Sequence, residues 1–393
     1  MGRERAPRGK KLKPIELSFR SLSESAVGNV WKQVFGHGWP GWKAWYLGRL
    51  GDEPAPVEKC RRMLRDFMPG MEHSWDAWVS SVGGDEDVAR FLSFWTPPRY
   101  LVNCSQAAGV DAQGPWLIRN YDLDPMLNET TLLRSAWRGY RVMGMVEGMA
   151  GLSDGMNEAG LALSLSFGGR IERGRGFGIP LIMRYVLETC RDCQDALDAL
   201  RGIPCHMSYN VTAIDRAGRV ENLMLAPDRP LIRRDDCWAT NHQLGVEWPH
   251  HGRLTGTVER GARLDDLLKG ETSGADAMLR AFLAPPLFST GYDRGFGTVY
   301  TALYRPATGS VTLAWADGER HVWRLDDFPA RALDVTYRAA GSAACAADAP
   351  ARPFSGEDRR LHAIAARNTL ERREGWTNIN PLPDSRTETG ETA

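Results

Sequence analysis

The sequence predicts an α+β layered domain preceded by a helical, tryptophan-rich N-terminal segment. Three observations carry this. From Arg99 onward, the short runs RYLVNC, PWLIRNY, GLALSLSF, YNVTAIDR, RVENLMLA, CWATNHQ, TVYTALYRP and SVTLAWA read as strands, and the turn signals RAGR and PATG join two pairs of them as hairpins. Between them, PLIMRYVLETC, DCQDALDALRG and TVERGARLDDLLKG carry apolar residues at helical spacing, and two of these stretches close on glycine. Ahead of Arg99 there is little β-branched alternation: CRRMLRDFM is periodic as a helix, and the breaker Thr96-Pro97-Pro98 ends the segment. Strands interrupted by helices point to an α+β layered arrangement.

Three regions follow. Residues 1–103 form the helical segment, with a flexible basic lead over 1–14 and helix and turn over 15–98. The main domain spans 104–335. Residues 336–393 turn Ala-rich, then charged, then polar, and read as a peripheral helix and a disordered tail. Seven of the 14 tryptophans precede residue 100. They are read as core, or as contact with the main domain, rather than as a ligand wall.

Composition bounds the function. Hydrophobic residues make up 42% and charged residues 25%, so a sizeable core can form. With 49 basic and 49 acidic residues the net charge is +0, which argues for neither a nucleic-acid partner nor an anionic membrane surface. The basic start MGRERAPRGKKLKP has no apolar run behind it, so no secretory signal is expected, and Ala6 stands where myristoylation needs Ser or Thr. No apolar stretch is long enough to span a bilayer. Cys60, Cys104, Cys190, Cys193, Cys205, Cys237 and Cys345 are odd in number and not spaced as a disulfide framework. Reduced thiols in a cytoplasm are therefore expected, with no metal and no cofactor.

The chemistry concentrates between Arg99 and Pro125. A strand ending in Cys104-Ser105, the turn GVDAQGP and a second strand ending in Arg119-Asn120-Tyr121-Asp122 form a hairpin that returns Arg119 and Asp122 to Cys104. If the chain is cut between Asn103 and Cys104, one residue supplies both a thiol and an α-amine able to act as base near neutral pH. A guanidinium beside the sulfur favours thiolate.

The ordered set strand-Cys-Ser, R-N-x-D (Arg119 to Asp122), G-M-N-E-A-G-L-A (Gly155 to Ala162), Y-N-V-T-A-I-D-x-x-G (Tyr209 to Gly218) and A-T-N-H (Ala239 to His242) resembles a known family. It is similar to the N-terminal-nucleophile hydrolases of the isopenicillin-N acyltransferase and peptidase C45 type, relatives of choloylglycine hydrolases and acid ceramidases. The resemblance covers roughly residues 99–320. It implies a four-layer αββα sandwich, a propeptide role for the N-terminal segment, and attack on a linear amide through a thioester. By it, Cys104 is the nucleophile, Arg119 and Asp122 flank it, and Asn241 donates its amide to the oxyanion. Asn103 stands where the acyltransferases commonly carry Gly. Ser166 occupies the place of a second oxyanion asparagine, and Arg294 is matched to a distal arginine. A small acylated amine, N-acyl amino acid or peptide is the expected substrate. Hydrolysis and acyl transfer differ only in the acceptor, so the sequence leaves that choice, the substrate and the oligomeric state open.

Other signals have simpler readings. Cys190-x-x-Cys193 is one pair within a helical pattern and is read as structural thiols. Asn241-His242 admits a Cys-His hydrolase that never cuts itself, with His242 as base. A non-catalytic binding protein on the same fold is a third reading. His206 is read as a satisfied or surface histidine. Asn210 and Asp215 are read as shaping a strand and its turn, Gly155 and Gly160 as marking a tight turn, and GGRIERGRGFG as a mobile loop at a pocket mouth that meets an anionic group.

Overall fold

The computed structural model describes residues 14–51, 54–270, 274–292 and 296–338. Arg294 and the tail from residue 339 lie outside them, as do residues 1–13. The chain opens on β1 (Ile15–Glu24), followed by the helices α1 (Asn29–Leu47), α2 (Val57–Phe67), α3 (Met71–Ser81) and α4 (Glu86–Ser93). The helical reading of residues 15–98 is thus corrected over its first ten residues. In IELSFRSLSE, Phe19 and Ser21 are buried on one face while Glu16 and Ser18 on the other are exposed. That is a period of two, disguised because a serine occupies an inward position. Downstream, Asp85 caps α4 by accepting from the amides of Asp87 and Val88 at 3.1 and 3.0 Å.

The tryptophans form core. Trp31, Trp42, Trp45, Trp75 and Trp78 are buried, and Trp31 stacks on Trp78 with centroids 6.3 Å apart. Trp42 donates its Nε1–H to the buried Glu129 of the main domain at 2.7 Å. Each such ring contributes on the order of 2–3 kcal/mol by burial, so the segment is bonded into the domain.

Two sheets follow. The nine-stranded sheet runs β10 (Ile232–Arg234), β9 (Val220–Leu225), β8 (Tyr209–Ile214), β7 (Ala162–Phe167), β6 (Gly151–Asn157), β5 (Val142–Glu147), β4 (Thr131–Ser135), β1 and β16 (Arg331–Tyr337). β1 lies parallel to β4 and antiparallel to β16, with Ile15 opposite Tyr337. The seven-stranded sheet runs β11 (Trp238–Ala239), β2 (Asn103–Asp111), β3 (Gly114–Leu123), β13 (Phe296–Arg305), β14 (Ser310–Ala314) and β15 (Arg320–Arg324), with β12 (Thr290–Gly291) on β13.

β2 and β3 face β7 and β8 across the main core. Helices α5 (Ile179–Thr189) and α6 (Cys193–Gly202) pack on the nine-stranded sheet. Helices α8 (Thr257–Lys269) and α9 (Ala275–Phe282) pack on the other sheet over a second core that includes Ala107, Ile118, Met278 and Phe282. The short α7 (Pro249–Leu254) leads into α8. The four-layer αββα sandwich is therefore present.

Two readings of turns need correction. Gly160 does sit in the β6–β7 turn, at φ +93°. Gly155 lies inside β6, where a Cβ would meet Met143 O and the Leu187 side chain of α5, so its lack of a side chain serves close sheet–helix packing. Cys104 stands at the start of its strand, because β2 begins at Asn103 and runs on to Asp111, which narrows the stretch read as turn to Ala112-Gln113.

Candidate active site

The hairpin β2–β3 sets the site. Its register places Cys104 opposite Tyr121, Asn103 opposite Asp122 and Gln106 opposite Arg119. Alternation sends the side chains of Cys104, Arg119 and Tyr121 into the space between the sheets, and those of Ser105 and Asp122 to the opposite face. The hairpin brings Arg119 to the thiol: its Nη2 donates to Cys104 Sγ at 2.8 Å. Nη1 donates to Asp154 Oδ2 and Ser153 O, both at 2.8 Å, and the guanidinium lies over Tyr121 at 4.6 Å from the ring centroid. Asp154 is itself wholly buried and accepts from Tyr300 OH at 2.6 Å and from Tyr304 OH. Asp154 and Tyr300 were missed because neither sits in a recognisable motif; only the folded register gathers them.

Asp122 accepts from Thr298 Oγ1 at 2.7 Å. Burial raises its pKa to about 6, against the pull of Arg260, Thr298 and Arg119. Burial likewise pushes the Cys104 thiol up to about 12; Arg119 and Arg260 oppose this and Asp122 adds to it. With the chain continuous, Cys104 has no solvent exposure and is held as a thiol.

Asn241 reaches the nucleophile from the loop after β11. Its Oδ1 accepts from the Cys104 backbone N–H at 3.1 Å, while Nδ2 donates to Val102 O at 3.3 Å and Phe167 O at 3.1 Å. The loop is gripped on both sides. Asn210 Nδ2 donates to Thr240 O and His242 O, at 2.9 and 3.1 Å, and the Asn241 N–H donates to Thr257 Oγ1 at 2.8 Å. Asn210 therefore does more than shape its strand.

Arg260 of α8 went unread because it looks like one basic residue in an ordinary amphipathic helix. It is buried, and its Nη1 donates to Cys104 O at 2.6 Å and to Ser105 Oγ at 2.8 Å, while Nη2 donates to Asn241 Oδ1 at 2.7 Å.

The remaining candidates separate from this cluster. Ser166 donates to Thr240 O at 2.8 Å, so its hydroxyl hydrogen is committed to the Asn241 loop. His242 Nδ1 meets Thr240 Oγ1 and Thr257 Oγ1, at 3.2 and 3.0 Å, and no hydrogen bond joins it to Cys104 among the described residues. That arrangement does not support a Cys-His pair. His206 is buried beside Phe177 O, and burial lowers its pKa to about 4. Cys190 and Cys193 are free thiols, with Cys193 Sγ on Arg219 O at 3.1 Å. In the glycine-rich loop, Arg170 is already neutralised by Asp228 and Glu247, each at 2.7 Å, so it is not a free anion receptor.

A thiol at the head of an inner strand, between two facing sheets clad in helices, defines an N-terminal-nucleophile hydrolase architecture. More particularly, the chain belongs to the acyl-coenzyme A:6-aminopenicillanic acid acyl-transferase family, which matches residues 110–320, more than half of its length. The protein is thus an amide-acting hydrolase or acyltransferase. The matched stretch holds Arg119, Asp122, Asn241 and Arg260, and begins just past Cys104.

Among solved structures, a variant conjugated bile acid hydrolase from Clostridium perfringens is similar at 14% identity and TM-score 0.40, over 58% of this chain and 96% of that one. Penicillin V acylase from Agrobacterium tumefaciens is similar at 13% identity and TM-score 0.37, over 57% and 86%. The Caenorhabditis elegans ortholog of N-acylethanolamine-hydrolyzing acid amidase is similar at 15% and 0.36, over 52% and 93%. No curated protein matches the chain by sequence. Among the described residues, no helix is long and apolar enough to cross a membrane.

Proposed function

We propose that the protein is a self-processing cysteine amidohydrolase or acyltransferase. Its substrate is the linear amide of a small acylated amine, N-acyl amino acid or peptide. The observation that carries this reading is the convergence on one residue of the Arg119 guanidinium at the sulfur, 2.8 Å away, and the Asn241 amide at the backbone nitrogen, 3.1 Å away. A merely structural cysteine needs neither.

In the first stage, the Cys104 thiol adds to the Asn103 carbonyl and the peptide C–N bond breaks. The acyl group passes from nitrogen to sulfur, and water cleaves the thioester to leave an Asn103 carboxylate and a free Cys104 α-amine. In the second stage, the α-amine takes the thiol proton as the sulfur attacks the substrate amide, then returns it to the leaving amine. Arg119 stabilises the thiolate, and the Asn241 Nδ2–H, released from Val102 O when the preceding segment shifts, donates to the oxyanion. Such a donor is worth on the order of 2.7–4 kcal/mol. Asp122, across from Asn103, supplies the negative charge that offsets the two guanidiniums. Water as acceptor gives hydrolysis; an amine gives acyl transfer.

The two fragments stay associated in this reading, since β1 is an inner strand of the nine-stranded sheet and Trp42 is anchored on Glu129. We place the protein in the cytoplasm, where its cysteines stay reduced.

The test is an intact-mass spectrum under denaturing conditions, beside a Cys104→Ala control. A split into fragments ending at Asn103 and starting at Cys104, with the control whole, is the expected result. A wild type that stays whole removes the α-amine and returns the Cys-His and binding-protein readings.

A further inference from the structure

We infer that Tyr100 is a positioning residue for self-cleavage: gripped at its hydroxyl by Glu147 and Tyr121 and at its ring by Trp42 and Trp45, it sets the Asn103–Cys104 bond against the thiol. This rests on the self-processing reading above. Residues 97–102, which lead into the bond, form neither helix nor strand. An irregular stretch takes its course from what its side chains touch, and a carbonyl offered to a thiol needs a fixed course. Reacting atoms must stand about 3–3.5 Å apart, and a misplacement of about 1 Å costs roughly a hundredfold in rate.

Tyr100 is where that course is held. Its hydroxyl donates to Glu147 Oε1 and lies 2.8 Å from Tyr121 OH, while Tyr121 OH donates to Glu147 Oε2 at 2.5 Å. Glu147 and Tyr121 are both buried. Tyr121 is the residue opposite Cys104 in the β2–β3 hairpin, and its ring carries the Arg119 guanidinium. The stretch ahead of the bond and the nucleophile behind it are thus set by one side chain.

The N-terminal segment holds the ring. Its centroid lies 5.7 Å from that of Trp42 and 6.2 Å from that of Trp45, both on α1. Trp42 in turn donates to Glu129 Oε1, which also accepts from the backbone N–H groups of Gly148 and Met149 at 2.7 and 3.2 Å. Those two residues directly follow Glu147, between β5 and β6. Both grips on Tyr100 are therefore fastened to one turn, and α1 and that turn form the two jaws of a clamp. A tyrosine that merely filled core would need its ring alone. A hydroxyl led to a buried carboxylate is a further expense, because such a group is costly to bury unless its partners are in place. The clamp gives the tryptophan-rich segment a task in making the catalyst, beyond its share of the core.

The experiment follows processing by intact mass over time in wild type, Tyr100→Phe, Glu147→Gln and the double variant. Tyr100→Phe keeps the ring and removes only the hydroxyl, and processing slows by about tenfold to a hundredfold. Glu147→Gln slows it comparably. The double variant is no slower than the slower single one, because all three lose the same bond. Chains that have split are then alkylated at Cys104 with iodoacetamide. In processed Tyr100→Phe the alkylation rate and its pH midpoint match wild type, since the hydroxyl acts on the bond and not on the thiol; a general loosening of the structure would move both and so overturn the positioning role. Wild-type processing in Tyr100→Phe also overturns it, as does an additive loss in the double variant, which would have Glu147 acting without Tyr100. A Tyr100→Phe chain that keeps the wild-type urea midpoint yet stays whole upholds it. Should Glu147→Gln lose its cooperative urea transition, Tyr100→Phe decides alone. A wild type that never splits takes the self-processing reading down and this inference with it, whereas unchanged variants beside a wild type that splits sink the Tyr100 role alone.

Discussion

Asp154→Asn tests whether Arg119 is a held catalytic cation or an incidental one. The carboxylate is fully buried and accepts from Arg119 Nη1 at 2.8 Å, Tyr300 OH at 2.6 Å, Ser153 Oγ at 3.2 Å and Tyr304 OH. The amide keeps the volume but loses the charge and turns a donor toward either the guanidinium or a tyrosine. Arg119 is then a buried cation without its counter-ion, a situation that costs about 3–5 kcal/mol. The exposed pair Arg141–Asp326, whose aspartate is 90% exposed, serves as the comparison, and Asp326→Asn is expected to cost under about 1 kcal/mol.

Both changes belong in a Cys104→Ala background, which keeps the chain single whatever the wild type does, with urea midpoints measured at constant m. A parallel measurement with Cys104 intact reads processing. Arg119 freed from Asp154 loses its aim at the sulfur, so cleavage slows. If Asp154→Asn costs no more than the surface change, or leaves cleavage untouched, the argument that Arg119 is locked for chemistry is refuted.

Other outcomes follow from the same geometry. Arg119→Lys keeps a charge but cannot hold Asp154, Ser153 O and the sulfur together; losing a charged hydrogen bond of about 1.5–3 kcal/mol should slow Cys104 alkylation roughly tenfold to a hundredfold. Asn241→Ala removes the oxyanion donor of the second stage and should slow substrate turnover by the processed chain by about 10²–10³-fold, read as acyl-amide cleavage per processed molecule. Asp122 is raised from 3.8 to about 6, so the folded state binds its proton more tightly than the unfolded state. Its contribution therefore lowers stability as pH rises from about 4 to 6, by about 3 kcal/mol in all, and urea titrations of Asp122→Asn should lack that slope. Trp42→Ala leaves a cavity and strips a donor from Glu129, and should cost about 3–5 kcal/mol by urea midpoint.

Much of the site could be read before folding, and the parts that could not share a cause. Arg119 and Asp122 were found because a two-strand hairpin has a register that local sequence sets. Cys104 and Asn241 sit in motifs with fixed neighbours. Asp154 and Arg260 come from β6 and α8 and reach Cys104 only when sheet packs on sheet and helix on sheet, a long-range event with no local pattern. In the fold, helices with clear apolar spacing such as α5 and α8 were legible. Strand β1 was not, since Ser21 interrupts its inward apolar series, and β5 and β6 were hidden by the glycines that let them pack. In the Gly- and Arg-rich string, Asp228 and Glu247, distant in sequence, engage Arg170, while Arg173 and Arg175 stay exposed.

The pairing of Ile15 with Tyr337 on adjacent strands has a use beyond stability. Strand neighbours lie roughly 5 Å apart, so a short linker could join the first and last strands without disturbing either. The chain could then be reopened between Asn103 and Cys104. Such a circular permutant, translated as Met-Cys and trimmed of its initiator, would present the α-amine of Cys104 with no peptide bond to break. Genetic rearrangement would thus separate the making of the catalyst from its working, and let each be timed alone.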